Sequence, residues 1–368
     1  MTPNPTNPDY ADRCIANVLK VLGQPSRSNE APLSDLTQAI SGSAGVVLVV
    51  LDGLGASQLA DRSALAPLLA ARQIEPITSV APSTTAAALT SLTTGRPPGA
   101  HGIVGYRFSV GEDILQSLRW TVDSNDATRQ HPPEQVQRST PLLMRKGRAV
   151  PYVGRKAFAT STFTKAHLRG SKYLSVEGPD EMPAVVAEAL RSDDLVICYH
   201  DAIDKIAHAE GLGAGFDDAV RRADRLLAEI RGAVPDDVTI VVTSDHGQVD
   251  CGPTAIEIPK HLLALVDFMS GEGRFRWLHA HPGQATDLIE RMRGVLDATC
   301  WVKSRREVIA AGWLGEVDDE VVDRLGDVAI LPFIDAFVPD PAEPLEVRMK
   351  SRHGSLTEAE MMVPLIVL

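Results

Sequence analysis

The chain's longest unbroken apolar stretch that ends in a charge is Val46–Leu51, VVLVVL, which runs into Asp52 and a Gly53-Leu54-Gly55 turn. It is short for a helix, rich in β-branched residues and lacks alternation, so it predicts a strand buried on both faces of a parallel sheet. Two later runs end alike: Leu195–Tyr199 precedes His200-Asp201, and Val238–Thr243 precedes Ser244-Asp245-His246-Gly247. Between them, apolar positions Phe216, Val220, Ala223, Leu227 and Ile230 recur at helical spacing and predict an amphipathic helix over Phe216–Arg231. Further helices are expected at Tyr10–Leu22, near Ala56–Ala71, at Ala86–Thr94 with Gly95 closing it, and at Met182–Arg191. Ile74–Val80 and the closing Met361–Leu368 read as strands. Strands alternating with helices predict an α/β fold with a mostly parallel sheet between helical layers.

Two regions break the rhythm. Residues 100–170 follow no period, and residues 255–345 mix short elements, as an inserted subdomain would. The expected organisation is a Pro/Asn-rich disordered tail at 1–9, a core of 10–254 and 346–368, and an inserted cap at 255–345.

Composition narrows the function. A net charge of -12 argues against binding nucleic acid polymers, whose phosphates are neutralised by Lys and Arg. No apolar run approaches the roughly 20 residues that span a bilayer, and the N-terminus lacks the basic and apolar regions of a secretory signal. Four scattered cysteines, Cys14, Cys198, Cys251 and Cys300, fit reduced thiols. A cytoplasmic protein is expected, or one whose signal has been removed.

The candidate chemistry lies at the ends of the apolar runs. Asp52 occupies the carboxyl end of a strand, where open α/β sheets place ligands, although Asp before Gly is also ordinary turn chemistry. The Gly53-x-Gly55 pair is not a dinucleotide fingerprint, because the third small position holds Gln58. Pro82-Ser83-Thr84-Thr85 puts hydroxyls at a helix start, either as caps or beside a bound anion. Asp204 and His208, four apart, project from one side of a helix as an ordinary polar pair or as two ligands of one ion. Asp245-His246 and His353-Gly354 complete a set of three Asp, three His and a hydroxyl. These oxygen and nitrogen donors, without thiolate, suit two divalent ions acting on a phosphoryl group.

The motifs LDGLG at 51–55, PSTTAAALTSLTTGRPPGAHGI at 82–103, YHDAIDKIAH at 199–208, SDHG at 244–247 and RHGSL at 352–356 together resemble the alkaline phosphatase superfamily. Within it they are similar to the type I phosphodiesterase/nucleotide pyrophosphatase branch. The resemblance implies an alkaline-phosphatase-like sandwich and two metal ions, zinc first and manganese next. One ion would be held by Asp52, Thr85, Asp245 and His246, the other by Asp204, His208 and His353. Thr85 would be the transiently phosphorylated nucleophile, cleaving a phosphodiester or pyrophosphate of a small, nucleotide-type substrate. The alternatives are a phosphomonoesterase or phosphonate hydrolase of the superfamily, or a catalytically silent phospho-ligand binding protein. The branch's usual Phe-Pro-Asn after the threonine is Ala86, Ala87 and Ala88 here, so another loop must supply a donor to the non-bridging oxygens. Tyr106, Arg107 and Lys165 are the candidates. No Cys/Ser-x-Pro-x-Arg motif is present, which speaks against the sulfatases.

Overall fold

A computed structural model describes residues 2–23, 31–71, 73–343 and 346–368; residues 344 and 345, the last of the expected insert, lie outside them. Among the described residues, the first two thirds of the chain supply six strands of the main sheet: β1 (Gly45–Leu51), β2 (Gln73–Thr78), β3 (Pro151–Arg155), β4 (Lys172–Val176), β5 (Leu195–His200) and β6 (Val238–Thr243). Four more, β7 (Val266–Glu272), β8 (Phe275–Ala280), β9 (Cys300–Ser304) and β10 (Val328–Pro332), precede the closing β11 (Met362–Val367). The main sheet has the order β4-β3-β5-β1-β6-β11-β2. Its first five strands are parallel, β11 runs antiparallel to β6, and β2 runs antiparallel to β11.

The composition of β1 follows from its central position. Val46, Leu48 and Val50 enter one hydrophobic core, while Val47, Val49 and Leu51 enter the other. Successive side chains of a strand point to opposite faces, so a strand covered on both sides needs apolar residues throughout. On one face lie α1 (Ile15–Gly23) and α2 (Thr85–Thr94). On the other lie α3 (Met182–Ala189), α4 (Ala202–Glu210) and α5 (Ala214–Ala233), the last through Phe216, Val220, Ala223, Leu227 and Ile230.

Register brings the strand ends together. Leu51 lies beside His200, and Val50 beside Thr243. Two further residues set Asp52 level with Asp245.

Within the expected insert, β7-β8-β10-β9 form an antiparallel sheet. Helix α6 (Ala285–Leu296) packs on it through Leu288, Met292 and Leu296. Residues 107–126 form a small antiparallel meander that the sequence pattern does not announce.

Two local expectations are corrected. The helix expected near Ala56–Ala71 is two short helices, Ala56–Ala60 and Pro67–Ala71, with Pro67 opening the second. Residues 2–9 lack regular structure but are not a loose tail. The Trp301 Nε1–H donates to the Pro3 carbonyl at 2.8 Å, the Trp313 Nε1–H to Asn7 Oδ1 at 2.9 Å, and the Thr6 N–H to the Leu356 carbonyl at 2.8 Å. Buried indole N–H groups require acceptors, and this segment supplies two. Among the described residues, no helix is long and apolar enough to cross a membrane.

Candidate metal centre and phosphoryl site

The chain turns sharply after Asp52. Gly53 has φ +77°, and a Cβ there would lie 2.8 Å from Gln248 Nε2 and 2.9 Å from the Asp204 Cβ. The Gly53 N–H donates to Asp245 Oδ1 at 3.1 Å and the Leu54 N–H to Ser244 Oγ at 2.9 Å, so this turn and the end of β6 fix each other. Helix α4 begins one residue beyond Asp201, and the Asp204 N–H donates to the Asp52 carbonyl at 3.1 Å. The residues that follow β1, β5 and β6 therefore meet at the carboxyl ends of these three central strands.

All seven residues expected as ligands or nucleophile lie together. His246 Nε2 stands 3.4 Å from Asp52 Oδ1, 3.5 Å from Asp245 Oδ2 and 3.1 Å from Thr85 Oγ1. Asp204 Oδ1 is 3.3 Å from His208 Nε2 and 3.7 Å from His353 Nε2. The His353 ring stacks on His246 with centroids 3.6 Å apart and lies 5.2 Å from His208. Two sets of three, Asp52-Asp245-His246 and Asp204-His246-His353, each keep their ligand atoms within 4.8 Å of one another.

Protonation and burial show what these groups lack. Each imidazole has its Nδ1 against a backbone carbonyl: Ser351 for His208 at 2.8 Å, Gly247 for His246 at 3.0 Å and Ser83 for His353 at 2.9 Å. A carbonyl only accepts, so Nδ1 carries a proton, and the tautomer this fixes for a neutral ring leaves the Nε2 lone pair turned inward, the usual arrangement around a metal. Asp52 Oδ1 and Asp245 Oδ2 are buried without a hydrogen-bond partner. Buried carboxylate oxygens are normally paired or coordinate a cation. Burial, then the charges of Asp245 and Asp204, push the Asp52 carboxyl well above the usual carboxylate range, although the Tyr199 hydroxyl donates to its other oxygen. Burial, then His246 and His208, hold His353 neutral, well below the ordinary imidazole range. Buried acceptors without donors, beside imidazoles whose Nδ1 atoms are engaged and whose Nε2 atoms face inward, fit divalent cations.

The three hydroxyls at the start of α2 are resolved by their partners. Ser83 Oγ donates to the Ser355 carbonyl at 2.7 Å and Thr84 Oγ1 to Glu272 Oε2 at 2.9 Å, whereas Thr85 Oγ1 faces His246. Thr84 occupies the N-cap position without a side-chain capping bond, so capping does not explain these hydroxyls. Ala86, Ala87 and Ala88 are fully buried and offer no polar side chain.

A cavity of about 400 Å³ opens beside this cluster, lined by Thr85, Asp204, His208 and His353 at its base. Tyr106 and Arg107 line it too, and so do Glu272 and Arg276 of the second sheet. Arg107 is committed, with Nη1 2.6 Å from Asp340 Oδ2 and Nε 3.4 Å from Glu343 Oε1. Lys165 is not among the lining residues and is exposed on the short helix Thr162–His167. Sequence reasoning missed Tyr199 on Asp52, Gln248 donating to Asp204, and the cavity's Arg119, Arg276 and Arg352. Tyr199 opens the 199–208 motif and Gln248 directly follows SDHG, and those positions were the available signal.

Residues 46–356 match the family model described as type I phosphodiesterase / nucleotide pyrophosphatase. No curated protein matches the sequence significantly. Among solved structures, human ectonucleotide pyrophosphatase / phosphodiesterase 5 aligns with TM-score 0.68 and 16% identity, over 88% of this chain and 87% of that one. An inactive form of the murine protein in complex with AMP gives TM-score 0.61 and 16% identity, over 87% of each chain. Phosphonoacetate hydrolase from Sinorhizobium meliloti 1021, in complex with phosphonoformate, gives TM-score 0.62 and 19% identity, over 89% and 90%. At these identities the solved structures show a shared fold, whereas the family match covers most of the chain. The protein is thus a member of the type I phosphodiesterase/nucleotide pyrophosphatase family of the alkaline phosphatase superfamily, and a hydrolase acting on phosphoryl groups.

Proposed function

We propose that this hydrolase cleaves phosphodiester or pyrophosphate bonds of a small nucleotide-type substrate through a phosphothreonine formed on Thr85. The observation that carries this reading is the division of the hydroxyls: Ser83 and Thr84 are engaged elsewhere, while Thr85 faces the buried Asp/His cluster. Two divalent ions, zinc by the donor set and manganese as the alternative, would be held by Asp52, Asp245 and His246 with Thr85, and by Asp204, His208 and His353. Bound there, they would supply Lewis acidity to phosphoryl oxygens and make the threonine hydroxyl and a water acidic near neutral pH.

Thr85 Oγ1 attacks phosphorus in line as the bond to the leaving alcohol or nucleotide breaks, and water then displaces the threonine. Position at the first residue of α2 aims the phosphoryl group at that helix's free N–H groups. Tyr106 is the donor suited to the non-bridging oxygens. Burial raises its phenol to about 12, so it keeps its proton at neutral pH, whereas Arg107 is held by Asp340. Residues 255–345 act as the cap: Gly271, Glu272 and Gly273, at the turn between β7 and β8, line the cavity. The four cysteines are buried free thiols, which supports a cytoplasmic setting.

The test compares the nitrophenyl diester of thymidine monophosphate with nitrophenyl phosphate on metal-loaded protein. Faster diester cleavage is expected, and Thr85→Ala should lose at least about 1,000-fold in turnover with metal content retained. Thr84→Ala should remain within about tenfold. Equal losses would reassign the nucleophile, monoester preference would move the reading to a phosphomonoesterase, and silence with both ions bound would leave a binding protein.

A further inference from the structure

Arg119 belongs to a rigid lip of the cavity. The hairpin 107–116 pairs Arg107 with Gln116, and the Ser117 N–H then donates to the Tyr106 carbonyl at 2.8 Å. Ser117 Oγ donates to the Gly105 carbonyl at 3.0 Å, which ties the returning strand to the segment it left. One residue beyond Arg119, the buried Trp120 has φ +57° and donates its Nε1–H to the His131 carbonyl at 2.7 Å. The backbone on either side of Arg119 is therefore pinned, and its side chain lines the cavity that holds Thr85, Asp204 and His353.

The other cavity arginines are all committed. Arg107 pairs with Asp340 and Glu343. Arg276 donates to the Val338 carbonyl at 3.0 Å, and the Arg352 guanidinium lies 3.6 Å from the centroid of the Phe337 ring. Arg119, among the described residues, makes no hydrogen bond and no ion pair. A guanidinium has a planar fork of donors that matches carboxylate and phosphate geometry. Held at the lip of a phosphoryl site without a protein anion, it suits an anion brought by the substrate.

We propose that Arg119 is a specificity-determining residue: it pairs with a second anionic group, a phosphate or a carboxylate, on the arm of the substrate away from the phosphorus under attack. This rests on the phosphohydrolase reading above. Leu118 and Met349 supply apolar lining for the rest of that arm.

Calorimetric titration of metal-loaded protein, in a fixed excess of free metal, tests the assignment with three probes. Methylphosphonate has no second anion, phosphonoacetate carries a carboxylate arm, and methylenediphosphonate carries a phosphonate arm. Wild-type protein should bind at least one armed probe about tenfold or more tightly than methylphosphonate. Arg119→Ala should remove most of that advantage, and Arg119→Lys should restore part of it. The armed probe that responds identifies the group Arg119 reads. Arg119 is exposed, so unfolding is not expected, and an unchanged melting temperature and metal content would establish that. An armed-probe advantage that survives Arg119→Ala, or none in the wild type, overturns the assignment while leaving phosphonate binding intact. Failure of the wild type to bind all three probes would remove the phosphohydrolase reading as well.

Discussion

Asp52 and Asp245 each keep one buried oxygen that no N–H or O–H reaches, with His246 Nε2 beside both, while His208 and His353 turn Nε2 towards Asp204. A neutral His353 competes with no proton for a cation, whereas Asp52, raised by burial and then by Asp245 and Asp204, must release one. Metal uptake should therefore strengthen as pH rises and release protons, a dependence that titration at two pH values reads directly. In the same titration, His353→Ala should leave one tightly held ion and weaken the other beyond the roughly 10–100-fold that losing an outer partner costs. Two tight ions and normal activity in that variant would remove His353 from the site. Asp52 and Asp245-His246 were singled out because they follow apolar runs and Asp204 with His208 because they stand four apart, whereas His353 was reached only through its place after the expected insert and the RHGSL resemblance. Tyr199 on Asp52 and the Ser83 carbonyl on His353 were not legible, since each is set by register and packing between segments far apart in the chain.

Single elements were legible where one period dominated. The unbroken apolar run of β1 and the heavy stripe of α5 announced themselves because each is buried along its whole length. Residues 100–170 did not, because the strands of their meander are short and their turns use left-handed backbone at Trp120 and Ser124, residue types that do not advertise it. The turn after β1 is the element on which the site depends most. At Gly53, positive φ coincides with close approach of Asp204 and Gln248. Gly53→Ala should cost at least about 1 kcal/mol of stability and displace Asp204. Chemical denaturation together with metal content checks this, and a variant with native stability and two tight ions would mean that α4 is not seated by this turn.

Core and second sheet are joined through a buried ion pair. Arg274, in the turn between β7 and β8, places Nε 2.7 Å from Glu360 Oε1 and Nη2 2.8 Å from Glu360 Oε2, with both side chains fully buried. The remaining guanidinium donors reach the Pro332, Ile334 and Ala336 carbonyls at 3.1, 2.8 and 2.6 Å. Glu360 also accepts from the Ser355 N–H at 2.9 Å, two residues after His353. The pair thus links the turn carrying Glu272 to the loop carrying a candidate ligand. Removing one partner leaves a buried charge without its counter-ion, so Glu360→Gln should destabilise the protein by about 3–5 kcal/mol. It should also weaken metal binding, because the Ser355 N–H loses a charged acceptor next to the His353 loop. Replacing both partners, Arg274→Met with Glu360→Leu, removes the stranded charge and should recover part of the stability, the rest being lost because the Pro332, Ile334 and Ala336 carbonyls and the Ser355 N–H lose their partners. Metal affinity should not recover with it, because Ser355 would still lack its acceptor. Urea denaturation and metal analysis of the two variants separate these effects. Joint recovery of stability and metal affinity would show that the pair acts only through stability and does not hold the His353 loop in place.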